Sequence, residues 1–208
     1  MNNIKTRFSF TLMLFITLGA CASVVKVLYP IQTDPLKSKA GAYALDPEHA
    51  NIIFAVNHLG FSLHHGRFNA VEGSLSLDIN KPEASQVFIT VNMDSVDTNN
   101  LTLDEMLRAK SMFNTAKFPA ATFESSSIKV TGPKSAIVSG YLTIKGIRKN
   151  INIDATFIGS GKNPLTNKET IGFSGKATFN RSDFNLKNWL PMVGDEVSLI
   201  IEAEFNRA

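Results

Sequence analysis

"AIVSGYLTIKG", residues 136–146, is the stretch on which the fold turns. Ala136, Val138, Gly140, Leu142 and Ile144 fall on one side of an extended chain, with Ser139, Tyr141, Thr143 and Lys145 on the other. Successive side chains of a strand point to opposite faces, so this period of two marks a strand with one face buried and one in water. The same period recurs outward in both directions. Upstream, "QVFITVNM" (86–93) sets Val87, Ile89, Val91 and Met93 against Phe88, Thr90 and Asn92. Downstream, "INIDATF" (151–157), "IGFSGKATF" (171–179) and "VSLIIEAEF" (197–205) repeat the pattern.

The connections agree with antiparallel pairing. "TGPKS" (131–135) and "KGIRKN" (145–150) have hairpin spacing and turn residues, and "GSGKNPLTNKE" (159–169) makes a longer loop. About eight strands fit between Ala42 and Phe205, which predicts an all-β chain closed into one eight-stranded antiparallel barrel. A barrel of that size holds its own side chains or one slender ligand. Gly73, Gly140, Gly175, Ala155 and Ala177 fall on inward positions, where they either leave an interior cavity or relieve strain at bends. One segment departs from the period. "LTLDEMLRAKSMFNTAKFP" (101–119) offers Thr102 as N-cap with Glu105 three residues on, and Leu103, Met106 and Leu107 on one helical face. This predicts a short helical insertion set across a barrel opening or against the wall, either lining a greasy site with Met106, Met112 and Phe113 or plugging one end.

The first residues read as a targeting segment. "MNNIKTR" (1–7) is basic, "FSFTLMLFITL" (8–18) is apolar and "GACAS" (19–23) is small, the composition of an export signal. The apolar run is short for a spanning helix of about 20 residues. "LGAC" (18–21) resembles a lipobox, and "ACA" (20–22) also suits an ordinary signal peptidase. Cys21 is the only cysteine, and a lone thiol in an exported chain has no intramolecular partner. The expectation is therefore a signal peptide over 1–20, a lipidated Cys21 and flexible tether over 21–41, and the barrel over 42–208. The protein is expected on the periplasmic side of the envelope, anchored by lipid, the outer membrane being favoured, with a soluble periplasmic form as the alternative. Removing Lys5 and Arg7 lowers the formal net charge from +3 to +1. No basic stripe remains, which disfavours nucleic acid as a partner.

"NHLGFSLHHGRF" (57–68) holds three of the four histidines. His64 and His65 are adjacent, so strand geometry sends them to opposite faces, and carboxylates nearby are sparse. No metal site is expected here. No Gly-x-Ser-x-Gly elbow is present, and Asp94, Asp97 and Thr98 of "SVDTNN" (95–100) and its flank read as turn-forming residues. No catalytic residue is assigned. His58 continues the apolar face of Ile52, Phe54 and Val56, either as a core histidine or as a polar point at a pore end. On the next strand Phe61, Leu63, His65 and Arg67 share a face with Val71 and Leu75 if the phase is continuous. That phasing aims His65 and Arg67 inward, where cations meet a phosphate or quinone oxygen. A bulge at Asn69–Ala70 turns Phe68 inward instead and exchanges His65 for His64. "SDFNLKNWLPMVGDE" (182–196) carries the only Trp, Trp189, in an apolar loop that is either a lid or a packed corner.

Several of these pieces resemble a known family. "HLGFSLHHGRFNAVEGSLSLD" (58–78), "SVDTNN", "RAKSMFNTAKFPAATFES" (108–125), "GYLTIKG" (140–146) and "RSDFNL" (181–186), in this order, are similar to the YceI-like family of exported bacterial proteins. The resemblance runs from about Ala42 to Phe205. It implies an elongated barrel of lipocalin-like shape that binds a polyisoprenoid or similar amphiphile, performs no reaction of its own, and in some members accompanies a membrane cytochrome of the b561 type. Family members often carry a plain signal peptide, so the lipobox is a departure that bears on tethering. Taken with the faces read above, the implied partner is a polyisoprenoid or quinone-like lipid, bound non-covalently and without a cofactor. Its tail is expected along Phe54, Val56, Leu75, Val91, Leu142 and Phe173, with Met106 and Phe113 of the helical insertion. The head is expected near His58, His65 or Arg67, with Phe61, Leu63 and Trp189 at the mouth. The competing readings are a histidine-dependent enzyme or metal protein and a docking partner of a membrane cytochrome. A homodimer is one of the assembly states left open.

Overall fold

Each alternating stretch forms a strand. In the computed structural model, which describes residues 30–208, the strands are β1 (Gly41–His58), β2 (Ser62–Phe68), β3 (Val71–Leu77), β4 (Gln86–Asn92), the two-residue β5 (Val96–Asp97), β6 (Ala120–Val130), β7 (Ser135–Ile144), β8 (Ile147–Lys162), β9 (Glu169–Asn180) and β10 (Val193–Arg207). Among the described residues one α-helix, α1 (Leu101–Arg108), sits between β5 and β6. All pairings are antiparallel, and β10 pairs with β1, so the sheet closes on itself and has no free edge along that seam. Two of the barrel's strands are broken. β1 pairs with β2 along Ile52–His58 and with β3 along Gly41–Ala44. In the same way β3 pairs with β4 while β2 pairs with β5. Counting β2/β3 and β4/β5 as one strand each gives the closed eight-stranded barrel expected from the sequence.

The breaks have local causes. Between Leu45 and Ala50 β1 carries four residues, Asp46–His49, against the single Glu204 between Phe205 and Ala203 on β10, so these four bulge from the ladder. At the β2/β3 break, the Asn69 N–H donates to the Ser95 carbonyl (3.1 Å) and the Ala70 N–H to Ser95 Oγ (3.0 Å). These bonds take the two residues out of the β1 ladder and shift the side-chain phase between β2 and β3.

The connections sort to two ends. One, the helix end, carries the β1–β2 turn, residues 93–119 with α1, the β7–β8 turn and the 181–192 loop. The far end carries residues 30–40, the β3–β4 connection, the β6–β7 turn and the β8–β9 loop. The signal segment and Cys21 lie outside the described residues. Gln32 and Ser38, within the expected tether over 21–41, both touch the barrel. Gln32 bridges to Ser160 of β8 by two main-chain hydrogen bonds, and the buried Ser38 hydroxyl meets Ser160 Oγ at 2.9 Å. The N–H groups of Leu36, Lys37 and Ser38 bond locally to Asp34 and Pro35, and the Ser38 hydroxyl makes the contact with the barrel.

Helix α1 starts two residues before the position the capping box predicts. Asn100, not Thr102, is the N-cap, its Oδ1 accepting from the Leu103 N–H at 3.2 Å. Asp104, buried, accepts from both the N–H (2.8 Å) and the hydroxyl (2.7 Å) of Thr98, and so ties the helix to the segment after β5. Arg108 donates to the carbonyls of Asp94 (2.8 Å) and Val96 (3.0 Å). The Asp97 carboxylate accepts from the Asn99 N–H (2.9 Å) and from Asn69 Nδ2 (3.1 Å). The "SVDTNN" stretch is thus a turn scaffold that holds the helix in place.

Candidate functional site

The inward residues of β4 show what the barrel encloses. Val87, Ile89 and Val91 point to the interior, yet each is only partly buried, where a filled core would cover them. They face a cavity of about 990 Å³ whose lining reaches from Pro35 and Leu36 at the far end to Leu103, Met106 and Trp189 at the helix end. Between these ends the walls are apolar: Ile52, Phe54 and Val56 from β1, Leu75 from β3, Leu142 from β7, Phe173 from β9 and Leu199 from β10. Aromatic pairs stiffen two parts of the wall. Phe157, Phe173 and Phe205 meet edge-to-face in sequence at 5.8 and 6.3 Å, and Phe54, Phe68 and Phe113 form a tilted series at 5.7 and 6.0 Å.

The glycines do not simply leave space. A Cβ on Gly140 would lie 2.5 Å from the Phe123 ring and from the Glu124 carbonyl, and one on Gly73 would lie 2.5 Å from Ile89 Cδ1. A Cβ on Gly66 would meet the Phe54 ring at 2.3 Å. Each glycine makes room for a large neighbour on the next strand, so the wall is thin and smooth while the void stays central.

Ten of the expected lining residues reach the cavity: Phe54, Val56, His58, Leu75 and Val91 from the first strands; Met106 and Phe113 from the helical insertion; Leu142, Phe173 and Trp189 beyond it. Four do not. Phe61, 86% exposed at the tip of the β1–β2 turn, and Leu63, 58% exposed, face outward, as do His65 and Arg67. The reason is the phase shift at Asn69–Ala70: even positions of β2 and odd positions of β3 face the interior. Arg67 is held on the outside by Asp97, its Nε 3.5 Å from Oδ2. His64, opposite Val56 on β1, and Phe68, opposite Ile52, take the interior places. The alternation of "SLHHGRF" was readable, but the contacts of Asn69 and Ala70 with Ser95 that reset its phase are tertiary.

The apolar loop with the single Trp divides. Phe184, fully buried, packs edge-to-face on Phe179 at 5.3 Å, and Leu186 is buried beside it. Trp189 lines the cavity and Met192 is exposed. Arg181, which the sequence reading passed over, organises this loop. Buried, it donates to four carbonyls: Gly194 (2.7 Å), Leu186 (2.5 Å), Asn188 (2.8 Å) and Val193 (2.9 Å). Asp195 accepts from the Ser182 hydroxyl (2.6 Å) and N–H (2.8 Å), and the hydroxyl bond in particular holds its carboxyl below the ordinary carboxylate range.

Of the histidines of "NHLGFSLHHGRF", His58 and His64 line the cavity while His65 faces outward. Among the described residues, the group whose ligand-type atoms lie within 4.8 Å of one another is Asp46, His49 and Glu204, at the β1 bulge. There His49 Nδ1 lies 3.1 Å from Asp46 Oδ2, and that hydrogen bond pushes the imidazole pKa up. Asn206 Nδ2 donates to the same Asp46 oxygen at 3.0 Å, so Asp46 fastens the bulge to β10.

The comparisons with known proteins follow the same architecture. A UPF0312 protein of Pseudomonas aeruginosa is 40% identical over 170 residues, covering 81% of this chain and 88% of that protein. The Campylobacter jejuni YceI crystal structure superposes with a TM-score of 0.63 at 30% identity, covering 73% of this chain and 90% of that one. A polyisoprenoid-binding domain from Saccharophagus degradans, implicated in plant cell wall breakdown, matches with a TM-score of 0.63 at 16% identity, over 82% of this chain and all of that one, and so shares the fold. With a YceI-like domain model matching residues 43–205, nearly the whole of the barrel, the chain belongs to the YceI-like family.

Proposed function

We propose that this protein binds one long-chain polyisoprenoid or quinone-like lipid along the barrel axis and acts as a carrier or reservoir without catalysing a reaction. The observation that carries the reading is the end-to-end apolar cavity, onto which inward side chains such as Val87, Ile89 and Val91 open while only partly buried. An apolar chain entering it gains about 0.8 kcal/mol for each CH₂ removed from water, so a few isoprene units supply affinity without polar contacts. The polyisoprenoid-binding domain of S. degradans has the same fold, and its binding is consistent with such use of the barrel.

The export signal and lipobox support a periplasmic protein held by a lipidated Cys21. Replacing Cys21 by Ala should release the protein from the membrane to the soluble fraction; a variant that stays with the membrane overturns the tether. For the cavity, protein purified from envelopes should yield a prenyl lipid on solvent extraction and mass spectrometry. A barrel that comes out empty and takes up no added prenyl lipid overturns the reading.

A further inference from the structure

Within the apolar cavity one polar atom is buried and unpaired. His64 Nε2 has no hydrogen-bond partner among the described residues. Buried polar groups are nearly always satisfied, and an unsatisfied one costs free energy unless a bound group completes it. His64 lines the cavity toward its helix end, beside Val56. His58, on the same face of β1 and diagonal to His64 in the register, stands at the rim.

The surrounding charges narrow what completes it. Among the described residues that line the cavity, the cations besides the histidines are Arg181 and Lys134. Arg181 spends its donors on four main-chain carbonyls, and Lys134 sits in the β6–β7 turn at the far end. Arg67 lies outside and Arg108 donates to the carbonyls of Asp94 and Val96. A phosphate or pyrophosphate at His64 would be a buried charge without a strong counter-ion, an unfavourable arrangement. A carbonyl or hydroxyl oxygen needs one hydrogen bond, which the imidazole supplies.

Building on the lipid-binding reading above, we propose that His64 receives the head of the bound lipid, that this head is an uncharged oxygen-bearing group such as a quinone carbonyl or hydroxyl, and that the tail runs from there to the far end. From His64 to Leu77 the wall extends about 43 Å along the strands at ~3.3 Å per residue. At a strand tilt near 40° that is about 33 Å along the axis, room for a long extended tail.

The test compares three probes of similar C20 chain: a tetraprenyl naphthoquinone, the hydrocarbon phytane and geranylgeranyl phosphate. The wild-type protein should bind the naphthoquinone most tightly, with its carbonyl infrared band shifted to lower frequency on binding. His64→Phe should weaken naphthoquinone binding about tenfold, equivalent to ~1.4 kcal/mol, abolish the band shift and leave phytane binding unchanged. His64→Gln, which keeps a donor, should restore most of both, and circular dichroism of each variant checks that the barrel is intact. Equal naphthoquinone affinity and an unchanged band in folded His64→Phe overturn the assignment while lipid binding itself stands. Tighter binding of geranylgeranyl phosphate overturns the uncharged head. Failure of the wild-type protein to bind any of the three overturns the lipid reading and this inference with it.

Discussion

Gly140 illustrates how much a single missing side chain decides. Its place on β7 was legible from alternation as inward, but not what occupies the space above it. That space belongs to the Phe123 ring, 2.5 Å from where a Cβ would be. Gly140→Ala would also press the Cβ against the Glu124 carbonyl, which cannot rotate away. The expected cost is about 1–3 kcal/mol, as for other overpacked sites, and urea unfolding measures it. Unchanged stability would mean that the wall tolerates an extra atom there. His64 and His65 carry a related lesson. Adjacent on the strand, they differ only in face, and a two-residue break five positions away selects the one that meets the cavity.

At the level of elements, the helical insertion and the 181–195 segment govern the same end of the barrel. The helix was legible from the 3.6-residue spacing of Leu103, Met106 and Leu107, whereas its cap was not. Thr102 and Asn100 are both good capping residues, and the choice fell to the residue whose extended backbone follows the turn at Asn99, with φ at 59°. Asn100→Ala should cost about 1 kcal/mol of stability, read by thermal unfolding, since the Leu103 N–H loses its acceptor. The 181–195 segment should respond to acid. The folded pKa of Asp195 is depressed by Ser182. Its contribution is therefore fully present above the unfolded carboxylate value near ~3.9 and disappears as pH falls through the lower folded value. Trp189 fluorescence should report loosening of the loop below about pH 4, and Asp195→Asn should remove that transition. A Trp189 signal that is flat through this range in the wild-type protein would disprove the coupling.

At the scale of the whole molecule, the central void distinguishes this barrel from a packed one. Filling it should abolish binding without harming the fold, the opposite of the usual effect of a core substitution. Ala155 lines the middle of the cavity from β8, and Ala155→Phe projects a ring into empty space. Uptake of long prenyl chains should fall at least tenfold, the equivalent of about two buried CH₂ groups, while stability holds or rises. Equal uptake by this variant, measured with a fluorescent prenyl probe, would place the bound chain elsewhere. The far end has its own constraint. Gln32 bridges to Ser160 at the end opposite α1.

The amino-acid sequence by itself determined the architecture, because alternation, hairpin residues and strand count are local properties of consecutive side chains. Antiparallel strands joined by short turns leave few other ways to bury one face. It also determined most of the greasy wall, since inward positions within one unbroken strand follow from any one of them. Only the tertiary structure decided the polar end of the site. Strand phase is kept within a ladder but reset wherever hydrogen bonds from a distant segment interrupt it, as Ser95 does at Asn69 and Ala70. That interruption put His65 and Arg67 in water and turned His64 toward the cavity.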